Sequence, residues 1–363
     1  MAPRRIDTTR FDVDGAGDPG GSIFGLPYSA DECSVVLVPV PWEPTVSYGR
    51  GTVHGPAAIR SASLQLDLYD AELAVHGLAR PWVFGVNMLP EDDRVRGWNE
   101  TACRLAAPIV DAGGVPAGDA SAKRVDELGA QLDTWVHRTT SHWHAKDRIV
   151  GVVGGDHSVS FGAIEAAAQA HEGLGILHVD AHADLRVAYE GFARSHASVM
   201  DNVLEHVPGV SKIVQVGIRD LSAAEARRID ADPRLHTFFD HALRSARGQT
   251  WESQCAAIVA ALPSEVYVSF DIDGLEPSLC PHTGTPVPGG LDFGQAMTLL
   301  RVLGTSGRRV VGFDLVEVAP PPRVAASGPS CAADEWDGNV GARVLHRLCG
   351  AALLSQGARD TIS

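Results

Sequence analysis

The sequence predicts an α/β fold: a single three-layer α/β/α domain built on a doubly wound, mostly parallel sheet. Three observations predict it. Short apolar, β-branched runs recur along the chain, Ala- and Leu-rich stretches of helical character separate several of them, and acidic and histidine residues gather just after three of the runs. A strand buried on both faces reads as a continuous apolar run, not an alternating one. Such runs joined through helices imply right-handed βαβ units.

Residues 1–30 are rich in Gly, Asp and Pro, lack periodicity, and read as an irregular N-terminal arm. Strands are expected at 34–40, 148–153, 175–179, 212–216, 265–270 and 309–313, and helices at 123–138, 159–170, 222–230, 252–262 and 292–304. The stretch Asp111 to Gly118 is expected to be a surface loop, because strand–helix alternation continues on both sides of it. A second, Pro- and Ser-rich loop is expected from Ala319 to Asp334. With no internal repeat, residues 31–355 read as one domain.

Hydrophobic residues make up 45% of the 363 and charged residues 21%, ordinary globular values that argue against disorder. A net charge of −15 disfavours nucleic acid and anionic membrane as partners and suits a small cationic substrate. No apolar run approaches the roughly 18 residues a membrane span needs. Arg4 and Arg5 are followed by no apolar segment, so the chain is expected to be cytoplasmic. The six cysteines form no CxxC pair and read as reduced thiols, mostly core filler.

The chemistry-bearing residues fall in three clusters. Gly154-Gly155-Asp156-His157-Ser158 follows the 148–153 strand; its glycines permit a sharp turn, Asp156 and Ser158 suit a helix cap, and His157 is presented at the corner. Alone, such a histidine is more often structural. His178-Val179-Asp180-Ala181-His182-Ala183-Asp184 places polar residues at every second position, hence on one face of an extended segment. Two carboxylates and two imidazoles together need a counter-charge, which a divalent cation supplies. In the third cluster, Asp271 and Asp273 share a face after the 265–268 run. Four aspartates and at least two histidines exceed the needs of one ion and suit two, about 3.5–4 Å apart with bridging carboxylates. Oxygen-rich ligation without thiolate favours Mn²⁺, while Ni²⁺, Co²⁺ and Fe²⁺ also fit. His196, in the loop after the second cluster, is within reach of the site, and Glu317 ends the last predicted strand.

The blocks at 154–158, 179–184, 269–274 and Thr283-Gly284-Thr285-Pro286-Val287-Pro288-Gly289-Gly290 resemble the signatures of the ureohydrolases, the family of arginase and agmatinase. Weaker matches at 47–51, 55–60 and 337–343 extend the likeness over about residues 35–350, the last resembling a helix start. The resemblance implies that His157 and Asp184 are terminal ligands of one metal, His182 and Asp273 of the other, and that Asp180 and Asp271 bridge both. It also implies that His178, though on the ligand face, is not a ligand. By the same likeness Asp184 takes a proton from the attacking hydroxide, His196 shuttles one to the leaving nitrogen, and Glu317 pairs with a guanidinium. The reaction implied is hydrolysis of a guanidino C–N bond to urea and an amine, by a homo-oligomer, trimer or hexamer.

The likeness is closer to the agmatinase branch than to arginase, because no Ser-Gly-Asn arrangement for an α-amino acid is found. Ser195-His196-Ala197-Ser198 replaces the Ser-His-Gly-Thr-Pro usual in agmatinases, and Ala197 adds a methyl where glycine would permit positive φ. Loop 185–198 is expected to set the substrate's far end, with Glu190 favouring an amine and Arg186 or Arg194 a carboxylate. Free guanidine is open too, if Tyr189, Phe192 or Trp42 fills the tail pocket. Guanidino-acid, formimidoyl or other amidine hydrolysis, and a non-catalytic family member, are the alternatives.

Overall fold

A computed structural model describes residues 3–321 and 335–360. Eight strands among them form one parallel sheet: β1 (Val35–Val40), β2 (Val86–Met88), β3 (Ile149–Gly154), β4 (Leu174–Val179), β5 (Val210–Ile218), β6 (Leu235–Phe239), β7 (Glu265–Asp271) and β8 (Arg309–Val316). Their spatial order is β2-β1-β3-β8-β7-β4-β5-β6. The chain winds to one edge through β1 and β2 and to the other through β4, β5 and β6. It fills the middle last, with β7 and β8.

Helices cover both faces, so the fold class read from the sequence holds. One layer holds Gly55–Ser63, Trp251–Ala260, Phe293–Thr305 and Trp336–Ser355, and the other Asp93–Asp111, Ala120–His144, Phe161–Ala170 and Val199–His206. Alternate residues of β1 serve the two cores: Val35 and Leu37 pack into the first, Val36, Val38 and Val40 into the second. That two-sided burial is why the strands read as unbroken apolar runs.

All six expected strands are present, each within a few residues of its expected span. The sequence reading missed β2 and β6. The first has only three residues; the second, an edge strand, is mostly half-exposed and shows no apolar run. Gly55–Ser63, Asp93–Asp111 and Val199–His206 are among the helices beyond the five expected. Residues 3–30 contain only two 3₁₀ turns, yet Ile23, Phe24, Leu26 and Tyr28 are buried in the first core. The loop expected at 319–334 falls mostly outside the described residues, as does Cys331; the other five cysteines are free. Among the described residues no helix is long and apolar enough to cross a membrane.

The order of the middle strands places the site. β3, β8, β7 and β4 are consecutive neighbours, and their carboxyl ends carry His157, Glu317, Asp271 with Asp273, and Asp180 with His182 and Asp184. A ligand in an open α/β sheet binds at such a crevice.

Candidate metal centre

β3 ends at Gly154, and Gly154-Gly155 leads into a bend, the sharp turn expected there. Neither has positive φ. Gly155 is needed for close approach, since a Cβ there would lie 1.9 Å from the Trp42 carbonyl oxygen. Asp156 is the N-cap expected, its Oδ1 accepting the Ser158 N–H at 3.1 Å. Its Oδ2 accepts from the Thr45 hydroxyl at 3.1 Å.

His157 is held from behind. Its Nε2 meets Ser269 Oγ at 2.9 Å, and that hydroxyl lies 3.0 Å from Asp314 Oδ1. The ring therefore turns Nδ1 toward Asp180, Asp184 and Asp271, whose Oδ2 atoms lie 3.0, 3.1 and 3.3 Å away. Yet Nδ1, though buried, makes no hydrogen bond. A nitrogen close to three carboxylate oxygens and bonded to none shares a point of convergence with them. Across the site, His182 Nδ1 lies 3.0 Å from Asp273 Oδ2 and 3.5 Å from Asp180 Oδ1.

Two ligand groups result. His157, His178, Asp180 and Asp184 form one, and Asp180, His182 and Asp273 the other, with Asp180 common to both. Asp271 approaches the first through Oδ2 and accepts the Asp273 N–H on Oδ1 at 2.8 Å. Burial, with Asp180 beside it, pushes the Asp184 carboxyl above the usual range. Burial, with Asp273 and Asp180 close by, pushes Asp271 well above it. Carboxylates packed this tightly ionise together only beside positive charge. The donor set fits two divalent cations. Asp184 and Glu317 are two of five described non-glycine residues with positive φ, at 53° and 62°. Such strain collects at functional sites.

Glu317 lies at the end of β8, 3% exposed. Its Oε1 accepts the His157 N–H at 2.9 Å, and its Oε2 is buried without a partner. Burial, with Asp156 near, pushes this carboxyl well above its usual range. His196 opens a short 3₁₀ turn, its N–H bonded to Thr45 Oγ1 at 3.1 Å. Burial first, then charge on His182 and His157, lowers its pKa to about 3. Ala197 in the same turn has no positive φ, so its methyl carries no strain.

The centre opens into a cleft of about 270 Å³, lined among others by Tyr48, His182, Asp184, Arg186, Tyr189 and Asp220. Loop 185–198 is thereby sorted. Arg186 and Tyr189 line the cleft, with the Arg186 guanidinium over the Tyr189 ring, 4.8 Å from its centroid, and 3.7 Å from Glu225. Arg194 turns away to Asp133 and the Phe161 ring. Phe192 and Trp42 are core residues. Glu190 is not among the lining residues; its carbonyl accepts the Val115 N–H at 3.1 Å and its Oε2 is buried without a partner. Thr45 and Asp220 carried no signal of their own in the sequence, and Asp314 and Ser269 were not singled out for a role. Ser269 and Asp314 sit inside apolar strands, where a buried polar residue is itself the clue.

A parallel sheet with carboxylates and imidazoles converging at its switch point defines a metal-dependent α/β enzyme. Comparison narrows the class. Residues 33–334 match the family model described as "Arginase family". The chain is 33% identical over 302 residues to N(1)-aminopropylagmatine ureohydrolase of Thermus thermophilus, covering 82% of this chain and 87% of that one. It is 29% identical over 295 residues to agmatinase of Bacillus cereus, covering 80% and 86%. The solved structure of proclavaminate amidino hydrolase from Streptomyces clavuligerus shares the fold, with TM-score 0.69 at 20% identity over 94% and 99% of the two chains. This chain belongs to the arginase family, hydrolases that use a binuclear metal centre on C–N bonds other than peptide bonds, and it sits with the agmatinase-like branch.

Proposed function

We propose that the protein hydrolyses a guanidino compound with a cationic tail, of the agmatine type, releasing urea and an amine. The observation that carries this reading is the convergence of His157 Nδ1 with three aspartate oxygens beside Glu317, whose Oε2 is buried without a partner. His157, Asp180, His182, Asp184, Asp271 and Asp273 are the proposed ligands, with Mn²⁺ the first candidate and Ni²⁺ the second, since oxygens dominate and no thiolate is present in either ligand group. When bound, the two cations supply hydroxide from water near neutral pH. Glu317 pairs with the planar guanidinium and fixes its carbon in the centre. Asp184, on its strained turn, takes the proton released during attack. His196, which lines the cleft beside Asp184 and His182, carries a proton to the leaving nitrogen.

Asp220 and Tyr48 in the cleft favour a cationic tail. Arg186 is already matched by Glu225 and the Tyr189 face, which disfavours a carboxylate tail. Residues 31–355 are proposed as the catalytic domain, acting in the cytoplasm as a homo-oligomer, trimer or hexamer. The deciding experiment measures urea release by Mn²⁺- and Ni²⁺-loaded protein on agmatine, 4-guanidinobutyrate, 3-guanidinopropionate, arginine and guanidine. Agmatine is expected to give the highest kcat/KM. No urea from any of them sinks the reading, and preference for a guanidino acid reverses the argument from Arg186.

A further inference from the structure

A line of polar side chains, half-buried at its outer end and fully buried within, reaches the candidate metal centre from the far edge of the sheet. Thr237 on β6, Gln215 on β5 and His178 on β4 are register partners across the three adjacent strands. Thr237 Oγ1 donates to Gln215 Oε1 at 2.8 Å. Gln215 Nε2 donates to the Ala183 carbonyl at 2.8 Å and lies 3.1 Å from His178 Nδ1. His178 Nε2 lies 2.8 Å from Asp180 Oδ2. His178 and Gln215 are fully buried.

Hydrogen-bond chemistry orients the line. The Ala183 carbonyl can only accept, so the Gln215 atom facing it is the NH₂, and Oε1 faces the Thr237 hydroxyl. The second NH₂ hydrogen then points at His178 Nδ1, which must accept it. The ring hydrogen is left on Nε2, aimed at Asp180 Oδ2. Binding a cation through Nε2 would need Nδ1–H and a flipped amide, and the flip would set two oxygens against each other at Ala183.

We propose that Thr237, Gln215 and His178 form a positioning relay for Asp180, the residue common to both groups, and that this relay holds His178 as a donor to Asp180 although it stands within ligand reach of His157 and Asp184. The relay also tethers the Ala183 carbonyl, so it braces the turn carrying His182 and Asp184. Outer partners of this kind typically change metal affinity by about 10–100-fold. The proposal rests on the metal-centre reading above.

The test titrates the full-length chain with Mn²⁺ alone, by calorimetry and by electron paramagnetic resonance, in wild type and in His178→Phe, Gln215→Leu and Thr237→Val. A relay predicts two Mn²⁺ per chain in every variant. It also predicts affinity weaker by about 10–100-fold in His178→Phe and Gln215→Leu, a smaller loss in Thr237→Val, and partial rescue in His178→Gln, which can still donate to Asp180. A drop to one Mn²⁺ in His178→Phe makes His178 a ligand and overturns the proposal; so does wild-type affinity in Gln215→Leu. Thr237→Val, isosteric and at an edge strand, covers the case in which a core variant fails to fold, and wild-type affinity in it overturns the relay. Because the readout is cation binding, a wild-type chain that holds two Mn²⁺ but releases no urea sinks the substrate reading alone, whereas one that holds none sinks both.

Discussion

Two regions of the molecule bury carboxylates, and they handle them in opposite ways. Around the C-terminal helix the buried carboxylates of Asp70 and Asp360 each have a guanidinium. Arg347 Nε and Nη2 meet the two oxygens of Asp70 at 2.9 and 3.3 Å, its Nη1 meets Glu72 at 2.7 Å, and Arg80 meets Asp360 at 2.8 Å. At the ends of β3, β8, β7 and β4, Asp180, Asp184, Asp271 and Asp273 are as deeply buried but face imidazoles and one another, and Glu317, equally buried, leaves Oε2 without a partner. The first arrangement satisfies itself and holds the fold together. The second leaves charge uncompensated, which a chain tolerates only where something else supplies the balance.

The sharpest way to break this contrast is to remove a carboxylate from the second region. Asp271→Ala is expected to abolish stable binding of at least one cation and to lower kcat/KM by about 10³-fold or more, while the apo fold survives. Elemental analysis beside urea release checks it, and full activity in a metal-depleted variant would refute the metal reading. In the first region the effect is on stability. Arg347→Met keeps the packing of the stem but strands Asp70, costing about 3–5 kcal/mol in denaturant unfolding with kcat per folded molecule unchanged.

A milder probe sits between the two. Glu317→Gln should keep both cations yet weaken kcat/KM for the guanidino substrate by about 2–4 kcal/mol, because the partner of a buried charge is neutralised. Unchanged kinetics would remove Glu317 from substrate binding. The smallest effect concerns His346, packed edge-on against Phe24 with burial lowering its pKa to about 4. Its folded value lies below the unfolded one, so the unfolded chain takes up the proton first. Stability is full above the ordinary histidine range and falls as pH drops from about 6.5 toward about 4. His346→Leu should flatten that part of the Tm–pH curve; an identical curve would exclude His346 as a source.

Much of the candidate metal centre was legible because its candidate ligands come in short runs with a period the backbone imposes. Alternation from His178 to Asp184 puts four titratable groups on one face whatever surrounds them. Even so, the face rule treats His178 and Asp180 as equals; in the relay proposed above, the amide of Gln215, 37 residues away, is what makes His178 a donor to Asp180. Glycine at 155 was readable as special, but its reason was not. The constraint is the Trp42 carbonyl, contributed by another strand's loop. In loop 185–198, Arg186 and Arg194 look equivalent in sequence. Asp133, on the helix Ala120–His144, draws Arg194 away, leaving Arg186 in the cleft.

The sequence by itself determined the α/β class, the six strands of the buried sheet and the residue types that gather at their ends, because hydrophobic run length and side-chain period act within a few residues. Tertiary structure alone decided the strand order that makes β3, β8, β7 and β4 neighbours, and with it which donors meet, which carboxylates find guanidinium partners and which side chains face the cleft. Those outcomes depend on contacts between residues tens to hundreds of positions apart, and no local pattern encodes them.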